Sequence, residues 1–472
     1  MEGSLQAHMA LNRFGLGASK AGAASIKDVK AALKAEMVVP DLLTHLPSSP
    51  QLLDALYAYQ AARKDNRSAP EASRDMSMTD MAPKAAGASN MAPVKPKKAA
   101  KSAPEGPENP RRQIFIDEVA ARYDGTLRAP IIGFNERLVV FWANHFAVAA
   151  NRSLPVGVLA GAYEREAIRP RIFGNFADLL VAAESHPAML IYLDNQQSIG
   201  PNSRANRKGA RGLNENLARE ILELHTLGVN GGYAQSDVTS FAKVITGWGV
   251  DRKSGQFGFN ANQHEPGPQT VMGKTYDQPG QAQGTAVLRD LAGHPATAKH
   301  IAYKLARHFV ADTPPPSLVS KLEKSFAESG GNLTAVYAAL IDAPESWAPQ
   351  PTKIRSPQEH MIAMLRASDT NMRPAAIVAS LKAMGQPLWE PPGPNGFADT
   401  ADVWASPEGL STRLEVANSL SINVAERLDA RELSQSLFGA ALSESTRTAI
   451  ARAESRTQGL AILFMSPEFM RR

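Results

Sequence analysis

Apolar residues recur at helical spacing along most of the chain. Stripes at i, i+3 and i+4 run through residues 27–37, 52–61, 137–148, 175–183, 214–227, 237–248, 296–310 and 318–326, and each predicts an amphipathic helix packed on a core. Between residues 251 and 276 the pattern shifts to short runs rich in aromatic and β-branched residues. Gln256-Phe-Gly-Phe-Asn260 and Thr270-Val-Met-Gly-Lys-Thr-Tyr276 predict the two strands of one hairpin around a Pro/Gly loop. The expected fold is therefore mainly α, a multi-helix globular array with a small β-hairpin near 256–276. Helix starts are punctuated by Ala343-Pro-Glu, Ser406-Pro-Glu, Ser466-Pro-Glu and the related Ser356-Pro-Gln. Ser suits the N-cap, Pro the first helical position and Glu the positive end of the helix dipole.

The stripes fail across residues 60–113. Between its two ends this tract has no Ile, Leu, Phe, Tyr or Trp, one Val (Val94) and seven Pro. It cannot bury enough apolar surface to offset about 1–2 kcal/mol of backbone entropy per residue. A long disordered insertion is expected there, between an N-terminal helical segment (1–59) that packs on the main domain and that main helical domain (114–472). The tract also accounts for the charge. The chain carries 51 basic and 46 acidic residues, a net of +5. The tract holds 11 and 6 of these, which leaves 40 of each sign elsewhere. The folded part is formally neutral, so the basic pI implies no nucleic-acid footprint on the fold.

Composition and motifs remove several chemistries. The absence of Cys excludes thiol nucleophiles, disulfides and cysteinyl metal sites. The stretch Gly267-Pro-Gln-Thr-Val-Met-Gly-Lys-Thr275 has five residues between its glycines, where a phosphate loop needs four. No two histidines stand three or four apart and there is no Gly-x-Ser-x-Gly, so the zinc helix and the nucleophile elbow both lack support. No stretch has the roughly 20 apolar residues of a membrane span, and the opening Met1-Glu-Gly-Ser-Leu-Gln-Ala-His lacks the basic and apolar regions of a secretory signal.

The densest polar helix is Asn214-Glu-Asn-Leu-Ala-Arg-Glu-Ile-Leu-Glu-Leu-His-Thr-Leu-Gly228. At about 100° per residue, Asn216, Arg219, Glu220 and Glu223 share one stripe roughly 100° wide, and His225 lies nearly opposite beside Ala218 and Ile221. Two readings stand. Glu215, Arg219 and Glu223 at four-residue spacing form a surface ion ladder. Alternatively, Glu220 and Glu223 at i, i+3 are metal-binding carboxylates or an acid/base pair. Other polar residues are placed to join them: Asn144 and His145 in an apolar helix, and Asp194 and Asn195 at the end of an apolar run. His300, Lys304 and His308, with Arg307 alongside, read as a solvated cationic face, with an anion site as the alternative.

Several of these stretches resemble the bacterial family catalogued as domain of unknown function 1800. They are Ala10-Leu-Asn-Arg-Phe-Gly-Leu-Gly17, Phe141-Trp-Ala-Asn-His-Phe146, Tyr192-Leu-Asp-Asn195, the 214–228 helix, residues 237–248 and 294–309, and Gly385-Gln-Pro-Leu-Trp-Glu-Pro-Pro392. The likeness covers nearly the whole chain outside 60–113. It implies no established activity. It does imply frequent export, from which this sequence departs, and a possible partner from a sulfatase-like uncharacterised family. Similar sequences have a capping Thr where this one has Ala234, which leaves Asp237 without its usual structural role.

The expectation is an enzyme with a carboxylate/His site on the 214–228 helix, or alternatively a non-catalytic helical scaffold that binds a partner. In the first case Glu220, Glu223, Arg219 and His225 are the catalytic candidates, with Arg219 orienting the carboxylates or holding an anionic substrate. A divalent metal is the possible cofactor, on Glu220, Glu223, His145 and Asp237.

Overall fold

The frame is set by the helix Phe134–His145, nine of whose twelve residues are buried. Residues 2–19, 26–68, 108–207 and 212–472 are described by the computed structural model. Among them lie twenty-two α-helices and four short strands, and no helix is long and apolar enough to cross a membrane. Helix Phe134–His145 has no capping side chain of its own at Gly133. Its free amides are taken by Glu36, whose carboxylate accepts from Ile132 N, Gly133 N and Phe134 N at 2.8–2.9 Å. A carboxylate there answers both the unpaired donors and the helix dipole. Phe14 stacks against Phe309 at 6.0 Å and meets Phe134 edge-on at 6.2 Å. The N-terminal motif is thereby built into the same core as helices Phe134–His145 and Pro295–Phe309.

The helix punctuation works as its chemistry implies. Ser356, Ser406 and Ser466 each accept a backbone N–H three residues on, with Pro in the first turn. Ala343 has no oxygen to offer, and only the short 3₁₀ turn Pro344–Trp347 follows it. Helices Ser49–Ser68 and Pro110–Leu127 reach past the edges of the tract expected between 60 and 113. Ala61, Ala62, Arg63 and Lys64 favour helix without an apolar stripe, and Asn109 with Pro110 makes a standard helix start. Residues 69–107, where most of the expected insertion falls, lie outside the described residues.

The single hairpin expected near 256–276 is in fact two. Strand β1 (Trp248–Val250) pairs antiparallel with β2 (Phe257–Phe259), and β3 (Gln269–Val271) pairs with β4 (Lys274–Tyr276). The second pair turns at Met272 and Gly273, both at positive φ, the geometry that matches strand twist in a two-residue hairpin. The 270–276 run therefore folds on itself, and 256–260 is left to pair backwards across the 251–255 turn.

Charge is buried deep in this fold. Glu136 and Arg169 form a two-pronged pair at 2.7 and 2.9 Å, with Glu164 and Arg122 beside them. Glu359 lies between Arg137 at 2.6 Å and Arg472 at 3.0 Å. None of these partners stands at a spacing that a helix stripe reveals.

Candidate functional site

The polar helix changes period halfway. Asn216–Glu220 is α-helical, and Ile221–His225 is a π-helical turn, closed where Thr226 Oγ1 donates to Ile221 O at 2.7 Å. The wider turn takes one more residue between donor and acceptor, so the 100° spacing does not hold within it. Leu217, Ala218, Ile221, Leu222 and His225 are buried, while Arg219, Glu220 and Glu223 are partly exposed.

The last carbonyls of such a helix have no partner within it. Here two imidazoles supply one. His300 Nε2 donates to Leu224 O at 3.1 Å, and His145 Nε2 donates to His225 O at 3.2 Å. Because a carbonyl only accepts, each ring carries its proton on Nε2, and the Nδ1 of His145 is left as a buried lone pair without a protein partner. Burial and the charge of Lys304 hold His145 well below the ordinary histidine pKa, and the same causes bring His300 down to about 4.

His225 itself meets a residue that the sequence did not single out. Its Nδ1 lies 2.7 Å from Glu184 Oε1, with both side chains at 0% exposure. The approach is an ion-pair contact without hydrogen-bond geometry, for neither ring nitrogen of His225 and neither oxygen of Glu184 has a hydrogen-bond partner among the described residues. Glu184 ends the helix Phe176–Glu184, in phase with buried Phe176 and Leu180. An acidic residue at a core position was the available signal. Glu220 stands near this dyad. Burial raises its pKa, as do the carboxylates of Glu223 and Glu184, while His225 and Arg219 act in the opposite sense. Buried Tyr192 has its own pKa raised first by burial and then by the charge of Glu220. His225 thus meets Glu184 at 2.7 Å and the His145 ring at 5.9 Å, and Glu220 lies near enough to act on His225, Glu184 and Tyr192 through its charge.

The structure leaves the other candidates elsewhere. Arg219 pairs with Glu215 at 3.1 Å and Glu223 at 3.7 Å, and Glu215 also accepts from Gln235 and Thr239. This is the ladder reading, for those residues. Asp237 has a structural role, contrary to the expectation drawn from Ala234. Its Oδ2 accepts from Ala234 N at 2.8 Å and its Oδ1 from Met272 N at 2.7 Å, so it caps one helix and pins the β3–β4 turn. Asp237→Ala should cost about 1–2 kcal/mol in urea denaturation and leave the Glu220 titration unchanged; an unaltered midpoint would contradict this role. Glu220, Glu223, His145 and Asp237 do not converge, and no group of three or more His, Asp or Glu among the described residues could hold a metal. The cationic face on helix Pro295–Phe309 is not solvated either. His308 is buried and His300 and Lys304 are partly buried, because this face packs on Phe141 and His145.

No curated protein and no solved structure matches the chain. The family model described as protein of unknown function (DUF1800) matches residues 9–471, and the chain, over nearly its whole length, belongs to that family.

Proposed function

We propose that the protein is an enzyme whose acid–base group is Glu220, backed by the buried Glu184–His225 dyad. The observation that carries this reading is the 2.7 Å approach of two fully buried ionisable groups, none of whose four polar atoms has a hydrogen-bond partner among the described residues. A carboxylate beside an imidazole couples the protonation of the two, and buried polar atoms left without partners mark a group held for chemistry rather than for packing. Glu220 is the carboxyl of this group that reaches solvent, so it is the one placed to meet a substrate. Its raised pKa lets it keep a proton to higher pH than an ordinary glutamate, as proton donation requires. Glu184 and His225 are positioning groups behind it. Arg219 and Glu223 belong to the ladder and act on Glu220 through their charges.

Carboxyl-labelled glutamate NMR on the full chain tests this. Glu220 should titrate above the ordinary value of 4.5, and Glu184→Gln, which removes a neighbouring negative charge, should lower its midpoint. A wild-type midpoint at or below 4.5, or a Glu220 midpoint that does not respond to Glu184→Gln, would overturn the reading. A divalent cation on His225 Nε2 and Glu220 is the alternative. It predicts saturable broadening of both residues' resonances by Mn²⁺, lost in Glu220→Gln.

A further inference from the structure

Two stretches far apart in the chain, Tyr192-Leu-Asp-Asn195 and Gly385-Gln-Pro-Leu-Trp-Glu-Pro-Pro392, meet at one pocket of 520 Å³, which residues 397–404 help to close. That volume is in the range of small-molecule sites. Its walls are fixed from outside. Pro387, Pro391 and Pro392 restrict φ along one side, and Trp389 between them sits at a φ of 52°, a strained conformation for a bulky residue. Two bonds hold it there: Ala150 N donates to its carbonyl at 2.7 Å, and its indole donates to Glu164 at 3.0 Å. On the other side Asn144 clamps Phe397, accepting from its N–H at 2.8 Å and donating to its carbonyl at 2.9 Å. The Trp404 indole donates to Ala398 O at 2.9 Å. The pocket is thus preformed.

Tyr192, Phe397 and Trp404 give the pocket three aromatic rings, the last two 6.4 Å apart between centroids. Two charged residues line it as well. Arg152 is already paired, at 3.0 Å from Asp194. Glu390 is half-buried, and its carboxylate has no ion pair and no hydrogen bond among the described residues. The Tyr192 hydroxyl has no hydrogen bond among them either. A carboxylate partly withdrawn from water is costly without a counter-charge, and the faces of aromatic rings carry partial charge of the same sign. Both favour a cation in the space between them.

We propose that this pocket binds an organic cation, an ammonium group with apolar substituents, with Glu390 as its counter-charge and Tyr192, Phe397 and Trp404 as its aromatic walls. The apolar substituents suit the proline side of the pocket, where a hydrated metal ion would find no ligands. The site stands whether or not Glu220 is an acid–base group.

Isothermal titration of the full chain with choline and with neohexyl alcohol, its uncharged isostere, tests this. Choline should bind saturably and the alcohol roughly tenfold more weakly or not at all. Glu390→Gln, which breaks no contact within the protein, should weaken choline binding about tenfold. Arg152→Gln should not weaken it, because that residue is no part of the cation's shell. No binding of choline, equal affinity for the two compounds, or wild-type affinity in Glu390→Gln would overturn the proposal. Binding of acetate that Arg152→Gln abolishes would make the pocket an anion site and overturn it as well. A test that needs no variant is the nuclear Overhauser effect between the choline methyl protons and the Trp404 indole. It should appear in the wild-type complex, and saturable binding without it would place the cation elsewhere and refute this site.

Discussion

Glu359→Ala should unfold the protein at much lower urea concentration than wild type, with a loss of about 3–5 kcal/mol. Glu359 is 5% exposed; its two oxygens accept from Arg472 Nε and Nη2, each at 3.0 Å, and its Oε1 lies 2.6 Å from Arg137 as an ion pair. It also accepts from Ser356 N at 3.0 Å, which closes the capping box of helix Pro357–Ser368. Burial alone would raise its pKa, but Arg137 and Arg472 outweigh it and hold the carboxyl well below the ordinary range. Without it, Arg137 and Arg472 remain buried with little compensation, and Arg355 and Arg413 are close enough to add to the repulsion. Breaking a buried pair from one side costs more than the pair is worth, because the stranded charge keeps its desolvation penalty. A loss below about 1 kcal/mol, the range of exposed pairs, would mean that water reaches the arginines. Glu359→Gln separates charge from shape: it should recover the cap while retaining most of the loss.

Acidification should destabilise the fold long before the carboxylates titrate. His308 is held neutral by its bonds. Arg137 Nε donates to its Nε2 at 2.9 Å, so that nitrogen must be a lone pair, and its Nδ1 donates to Asp399 at 2.8 Å. His145 and His360 each give their one N–H to a buried carbonyl. Burial is the main cause that lowers all three, to about 4 for His308 and about 3 for His360. The sign follows from proton uptake. The unfolded chain protonates these rings near pH 6.5 and the folded chain does not, so their stabilisation is complete above that pH. It is lost as pH falls from about 6.5 toward 4. Each ring contributes up to about 1.4 kcal/mol per pH unit, so three give roughly 4 kcal/mol per unit near pH 5. A second loss follows at lower pH. Glu359 and Asp399, the latter held near 2 chiefly by His308 against its burial, stabilise the fold above their unfolded values and cease to do so as pH drops through the folded ones. Urea midpoints measured between pH 7 and 4.5 check this. A flat profile from 6.5 to 5 would show that the rings are not buried as neutral groups.

Several features could be read without coordinates because they depend on near neighbours. The helix stripes, the Ser-Pro caps and the Glu215–Arg219–Glu223 ladder all follow from residues within one or two turns. The π turn at Ile221–His225 is not legible in the sequence, since nothing local announces it, although Glu223 still reaches Arg219 and His225 is still buried. Asp237 shows the converse error. Reading it from its own cap alone left out Met272, which reaches its second oxygen from another element.

What the sequence by itself determined is which faces are apolar, where helices start and that the folded part carries no net charge, because these are sums or short-range periodicities. Only the tertiary structure decided that Glu184 meets His225, that Glu359 lies between Arg137 and Arg472, and that the His300–Lys304–His308 face turns inward. A buried charge and an exposed one are the same letter in the chain. The difference lies in the partner across the core, and that partner is chosen by packing between segments far apart in sequence.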